Sequence, residues 1–473
     1  GVLNCTAMNQ NSKNALWAKR SLASVWHPCS QMKHHESSPM VPIVSGRGVW
    51  LIDADGNRYL DAVSSWWVNL FGHANPRINA ALKNQLDTLE HSMLAGFTHE
   101  PAIELGERLA KLTGLGHAFY ASDGASAVEI ALKMSFHFWR NQGQPAKQKF
   151  VSLKNSYHGE TLGALAVTDV AIFRDAYGPL LNNNLIVDFP GGTAQKPITT
   201  GVSRHSAAST ASTLPFEVCC PECVVDDGAQ LERLFEARAG EIAALIVEPL
   251  VQGAAGMRMY HPDYLKKARE LCTKYGVHLI ADEIMTGFGR TGTMFACEQA
   301  NIQPDLMCLS KGITGGYLPL SCVLSTDQIY DAFYDDDTAR GFLHSHSYTG
   351  SALACRAALA TLDIFAADHV IENNRLKAVR LTELTKPLMA HRRVKNFRHL
   401  GMIWAFEVDT DDPVFARNVF AASLRRGVML RPIGNTVYFM PPYVIDDGEF
   451  DHLVTQTLAV IDEVCTVTIV GQC

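Results

Sequence analysis

Between about residue 100 and residue 325, short apolar runs alternate with stretches of helical period, and this alternation constrains the fold more than any other feature. The runs include Lys149–Leu153, Ala243–Val247, Val277–Ala281 and Asp305–Leu309. Among the helical stretches, Ala125–Arg140 places Val128, Leu132 and Phe136 four residues apart, and Pro262–Tyr275 has the same character. Strands that alternate with helices build a mostly parallel sheet covered on both faces, since each parallel connection must cross back over the sheet. An α/β fold is the expectation.

At 473 residues the chain exceeds what one hydrophobic core usually supports. Residues 1–75 read as an N-terminal segment that joins a smaller domain. Within it, GVWLIDADGNRYLDAV sets two apolar stretches around Asp55-Gly56-Asn57, a tight-turn signal that predicts a hairpin. Residues 76–350 form the large α/β domain. Residues 351–473 begin with a long helical pattern and continue into strand-like GMIWAFEV and NTVYFMPPYVI, which suits a small α+β domain. The Gly/Ser/Thr/Pro-rich stretch from about 190 to 215 reads as a surface loop.

Hydrophobic residues make up 47% of the chain and charged residues 19%, ample for buried cores. A formal net charge of −7 gives no electrostatic reason to bind nucleic acid or an anionic membrane. No run is long and apolar enough to span a bilayer, and the first residues lack the basic flank and apolar stretch of a secretory signal. A cytoplasmic protein is expected. The twelve cysteines are scattered, and Cys308 and Cys322 lie inside apolar runs, as reduced thiols used as small hydrophobes do. Cys219, Cys220 and Cys223 in CCPEC have the look of metal ligands. No second CxxC or nearby histidine pair completes a set of four, so no metal site is assigned.

Four local features can carry chemistry, and each has a plainer reading. Ser122-Asp123-Gly124-Ala125-Ser126 opens an amphipathic helix, where free N–H groups and the helix dipole suit a phosphate; Ser122 or Asp123 could equally be a cap. Asp282 and Glu283 end an apolar strand, the edge at which ligands gather in parallel sheets. A carboxylate there can bond a protonated pyridine nitrogen, or the pair can cap the next helix. Lys311 follows another apolar run and precedes Gly312, Gly315 and Gly316, so burial could make it a nucleophile; most lysines are solvated charges. Tyr157, in Asn155-Ser156-Tyr157-His158-Gly159, could offer a stacking face or simply fill a turn.

With these motifs in view, the chain resembles class III aminotransferases, pyridoxal-phosphate enzymes, across nearly its whole length. SYHG at 156–159, EPLVQGAAGM at 248–257, LIADEIMTGFGRTGTMFACE at 279–298 and LSKGITGG at 309–316 carry the likeness. The resemblance implies the type I pyridoxal-phosphate transferase fold, a large domain with a mostly parallel seven-stranded sheet plus a smaller α+β domain, in a homodimer with shared active sites. It implies that Lys311 carries the cofactor as a Schiff base and moves the proton, that Asp282 pairs with its ring nitrogen, and that Tyr157 stacks on the ring. Gly124 and Ala125 would hold the phosphate, with Ser347 reaching in from the partner subunit. Glu248 and Gln252 would sit near the cofactor.

Narrower motifs resemble the branch of that class that serves biotin synthesis: Trp26-His27-Pro28, Ser64-Ser65-Trp66-Trp67, Met257–Pro262, Arg431-Pro432 and Met440–Tyr443. They imply that Trp66, Tyr157, Arg431 and position 346, occupied by His346, face the substrates, a small amino donor and a keto acceptor, with S-adenosylmethionine as the donor. Arg431 would take the acceptor's carboxylate. Two positions depart from the pattern. Cys29 stands where the similar enzymes have a substrate-contacting tyrosine, which leaves the donor open. Ser351-Ala352 replaces Asn-Pro, losing a preset φ at a helix start. An ω-amine:pyruvate transaminase and an aminomutase of the same class share the cofactor residues and stand as alternatives. A silent binding protein would have no chemical need for Lys311 and Asp282.

Overall fold

A computed structural model of the chain describes residues 12–36, 38, 40–190 and 228–470, the last four as backbone. CCPEC and nearly all of the 190–215 stretch lie outside the described residues. The chain divides into two compact units, one of residues 80–375 with 396–403, the other of residues 1–79, 376–395 and 404–473.

The larger unit is built on a seven-stranded sheet. Its strands are β1 (His117–Ala121), β2 (Lys149–Leu153), β3 (Leu185–Val187), β4 (Ile242–Val247), β5 (His278–Asp282), β6 (Leu306–Leu309) and β7 (Ser321–Ser325). Their order is β1-β7-β6-β5-β4-β2-β3. β7 runs antiparallel to both of its neighbours and all other pairings are parallel, so the alternating pattern gives the mostly parallel sheet expected of it. β4, β5 and β6 are buried along their whole length, which is why they read as continuous rather than alternating apolar runs.

Helices of the larger unit are α1 (Glu100–Thr113), α2 (Gly124–Asn141), α3 (Pro262–Tyr275) and α4 (Ala352–Ala367). α2 buries Val128, Ile130, Ala131 and Phe138 in the core with Ile246, Ile280 and Leu306 of the sheet. α3 starts on His261, whose ring accepts from Asp263 N, with Pro262 in the first turn, and stops on Gly276 at φ 62°. α4 belongs to this unit and not to the C-terminal region to which the sequence assigned it. Alanine-rich and apolar on nearly every side, it is buried against α1 and the turn that begins at Lys311. Ser351 caps its start by accepting from Ala354 N.

Lys147 is a cation built into this core. Lys147 is 5% exposed, and its ammonium donates to the carbonyls of Ala239 (2.7 Å), Ile242 (3.1 Å) and Gly276 (2.9 Å). It also lies 4.5 Å from the centre of the Trp139 ring. Burial holds its pKa below the usual lysine range.

In the smaller unit the expected hairpin pairs Trp50–Asp53 with Arg58–Asp61. Asp53 closes its turn by accepting from the N–H groups of Asp55 (3.0 Å) and Asn57 (2.8 Å), while Gly56 takes φ 92°. Val428–Met429 adds a parallel strand beside Arg58–Asp61. The strand-like C-terminal stretches pair antiparallel, Trp404 opposite Phe439, and the helix Asp447–Val470 ends the described chain.

Candidate active site

The parallel register brings the chemistry-bearing residues of the larger unit to one edge of its sheet. Asp282 is the last residue of β5 and pairs with Cys308 of β6, so Lys311 follows three residues beyond that partner. Each emerges from a strand whose apolar residues are spent on the core. The two carboxylates at the end of β5 have different tasks. Glu283 is fully buried and structural, accepting from Thr286 Oγ1 (2.5 Å) and Cys297 N (2.9 Å). Asp282, 4% exposed, accepts from His158 Nδ1 at 2.7 Å on one oxygen and from Ile284 N at 3.2 Å on the other.

His158 is the residue that sequence reasoning left without a role. It is buried, its backbone N–H donates to Thr168 Oγ1 at 2.9 Å, and its Nε2 has no hydrogen-bond partner. The available signal was its place beside Tyr157 in SYHG. Glu248 holds the same turn from below: one oxygen accepts from Tyr157 N and the other from Gly253 N, both at 3.1 Å. Burial pushes the Glu248 carboxyl up to about 7; the nearby His158 lowers it and Asp282 raises it. Gln252 is fully buried, donates to Lys154 O at 3.2 Å and leaves its Oε1 unpaired.

Lys311 takes a left-handed backbone conformation, φ 49°, which a side chain rarely adopts outside a constrained site. The preceding Ser310 hydroxyl donates to Leu320 O at 2.9 Å. Part of Lys311 reaches solvent, yet its surroundings hold its amine below the usual lysine range. Burial is the largest cause, and the carboxylates of Asp282 and Glu248 act in the opposite sense.

At the start of α2 the capping reading holds: Asp123 accepts from Ser126 N (2.9 Å) and Ser126 Oγ (3.0 Å). A cap of this kind leaves the N–H groups of Gly124 and Ala125 for another acceptor. The turn after β2 packs directly on them. Gly159 has φ 124°, and a Cβ there would lie 2.7 Å from Ala125 Cβ. Tyr157 is half-buried, with its hydroxyl donating to Glu160 at 2.9 Å and its ring edge-on to Phe173.

These residues fit pyridoxal phosphate. Lys311 offers an amine pushed toward neutrality, Asp282 a buried carboxylate, and the start of α2 free N–H groups beside a glycine-tight turn. The unpaired Nε2 of His158 and Oε1 of Gln252 add polar atoms that burial makes costly to leave alone. Two other expected residues lie elsewhere on the larger unit. Ser347 is exposed, its carbonyl accepting from His91 Nε2 at 2.9 Å, and His346 lies 3.2 Å from His344, ring nitrogen to ring nitrogen. Among the described residues no cluster of His, Cys, Asp and Glu suits a metal ion, and no helix is long and apolar enough to cross a membrane.

The smaller unit holds Trp66 and Arg431. The Arg431 guanidinium stands 4.9 Å from the centre of the Trp66 ring, and the indole is 45% exposed. Trp66 sits in an unusual piece of chain. Ser64, Ser65, Trp66 and Trp67 have φ of 50°, 48°, 74° and 71°, one turn of left-handed helix closed by Trp67 N to Val63 O (2.8 Å) and Val68 N to Ser64 O (3.0 Å). None of the four is glycine, and left-handed helix costs an L-residue roughly 1–2 kcal/mol.

Residues 31–461 match the family model for class-III aminotransferases, and the chain belongs to that family. Among relatives, the adenosylmethionine-8-amino-7-oxononanoate aminotransferase of Helicobacter pylori is 46% identical over 94% of this chain and 98% of its own. The crystal structure of the enzyme of that name from Methanocaldococcus jannaschii is 35% identical, with TM-score 0.85, covering 95% of this chain and 99% of that one. An amine transaminase from an uncultivated Pseudomonas species, in its PLP-bound form, is 31% identical with TM-score 0.81 over 93% and 98% of the two chains.

Proposed function

We propose that this chain, with pyridoxal phosphate bound, transfers an amino group from S-adenosylmethionine to 8-amino-7-oxononanoate, giving 7,8-diaminononanoate for biotin synthesis. The carrying observation is the pairing of adjacent strands β5 and β6, which sets the His158-held Asp282 at the end of one and Lys311 two residues past the end of the other. The 46% identity with the H. pylori enzyme supports the choice of substrates.

Bound pyridoxal phosphate supplies a ring that takes up the negative charge left when the donor loses its Cα proton. The chain's residues divide the remaining work. Lys311 would hold the cofactor at rest and, as a neutral base, would take the proton from the donor's Cα and deliver it to the cofactor carbon on the other side of the shared nitrogen. Asp282 holds a positive charge at the ring nitrogen, and His158 keeps that carboxylate aligned. Tyr157 covers the ring. Gly124 and Ala125 hold the phosphate, joined in a homodimer by Ser347 of the partner subunit. Arg431 takes the acceptor's carboxylate, Trp66 its aliphatic chain, and His346 lies on the substrate side. The enzyme works in the cytoplasm.

Purified protein should show the visible absorbance of bound cofactor, and Lys311→Ala should abolish it; a colourless wild type overturns the reading. S-adenosylmethionine should bleach that band and the oxo acid restore it. Bleaching by a simple amine, with pyruvate restoring the band and the oxo acid failing to, would instead identify an ω-amine transaminase. The exposed Cys29, at φ 50° in place of the expected tyrosine, makes that comparison worth running.

A further inference from the structure

The left-handed turn Ser64–Trp67 persists because its surroundings over-determine it. Asp61, fully buried, accepts from Ser65 N (2.9 Å) on one oxygen and from Ser65 Oγ (2.7 Å) and His73 Nε2 (2.9 Å) on the other. Ser64 Oγ donates to Met440 O at 2.7 Å, and Trp67 Nε1 donates to Tyr438 OH at 3.0 Å. Apart from the His73 bond, which braces Asp61 itself, these contacts grip Ser64, Ser65 and Trp67, the residues around Trp66. The indole of Trp66 itself is turned outward against Arg431. A right-handed turn over the same residues would reverse the sense in which successive side chains step around the axis, so the indole would leave the guanidinium.

We propose that Asp61 is a positioning residue for recognition of the acceptor. It locks the left-handed turn, and the turn sets the Trp66 indole as a wall beside Arg431. The substrate class that such a pair selects is a long aliphatic chain ending in a carboxylate. The chain lies along the indole, and the carboxylate takes the guanidinium edge that the ring leaves free. A short keto acid spans only the guanidinium and gains nothing from the wall. This inference rests on the reading that Trp66 and Arg431 serve the acceptor.

The test uses holoenzyme carrying Asp61→Ala, Asp61→Asn, Ser65→Gly or Ser65→Val. Measurements are steady-state KM for the oxo acid and for S-adenosylmethionine, and the Kd of nonanoate, a nine-carbon carboxylate probe, from tryptophan fluorescence. Asp61→Ala should raise the oxo-acid KM and the nonanoate Kd at least ten-fold more than it changes the donor KM. Asp61→Asn, which keeps an acceptor for Ser65 N, should recover part of that loss. Ser65→Val should weaken nonanoate binding more than Ser65→Gly, because glycine tolerates φ near +48° and a β-branched residue does not. Equal proportional losses on the donor and acceptor sides, or equal effects of Gly and Val at position 65, overturn the proposal. If Asp61→Ala does not fold, the Ser65 pair decides. A wild type that binds nonanoate but rejects the oxo acid overturns the proposed reaction and leaves the Asp61 inference to the nonanoate arm. A wild type that does not bind nonanoate overturns the inference itself.

Discussion

His158 Nδ1 lies 2.7 Å from Asp282 Oδ2 although 124 residues separate the two in sequence. Both are buried, so the bond works without competition from water. Removing a hydrogen bond to a charged group costs about 1.5–3 kcal/mol, or roughly 10- to 150-fold in rate or affinity. His158→Ala should therefore lower kcat by one to two orders of magnitude and loosen cofactor binding, as read by equilibrium dialysis. His158→Asn, which keeps a donor near Asp282, should lose less.

Gly159→Ala forces a Cβ to within 2.7 Å of Ala125 Cβ at a φ of 124°. The turn must back away from the start of α2, at a cost of about 1–3 kcal/mol for the strained backbone alone. Thermal stability and affinity for pyridoxal phosphate should both fall. Adding Ala125→Gly removes the clash but not the strained φ, so the double variant should recover only part of the loss.

Glu248 gives stability a pH dependence with a definite sign. Its carboxyl titrates near 7 in the folded chain against 4.5 unfolded. Between those values the folded state keeps a proton that the unfolded state has released, so this group's contribution is full below pH 4.5 and is lost as pH rises through 7. The loss is about 3 kcal/mol at most. In Glu248→Gln, the decline of denaturant midpoint between pH 5 and pH 7.5 should be shallower than in wild type.

Lys147→Met keeps most of the side-chain volume but leaves the carbonyls of Ala239, Ile242 and Gly276 without their shared donor. Breaking a buried charged set costs about 3–5 kcal/mol. Chemical denaturation should report that loss, while KM for both substrates stays within two-fold at a temperature where the variant is folded.

The sequence made the strands readable, and marked Asp282 and Lys311 as candidates, for one physical reason. In a parallel sheet a buried strand is apolar throughout, so the first polar residues after it announce the functional edge; Asp282 and Lys311 stand at such breaks. Lys149–Leu153 and Pro262–Tyr275 have the bounds that the pattern gave them. What depends on distant packing was hidden. Nothing local in SYHG announces that His158 meets Asp282, and SSWW contains no glycine or asparagine to announce a left-handed turn. That turn is imposed by Asp61 and Met440, the latter 376 residues from Ser64. The apolar helix Ala352–Ala367 was visible as a helix, but its all-round burial could not say which core it joins.

The antiparallel strand β7 has a mechanical consequence for Lys311. Because β7 starts at the sheet edge where β6 stops, the segment between them leaves and returns at adjacent points, and the Ser310–Leu320 bond ties its two ends together. Lys311 is thus rooted at the neck of a closed loop. If Lys311 moves a proton as proposed, the closed loop anchors its Cα and leaves the motion to its methylene stem.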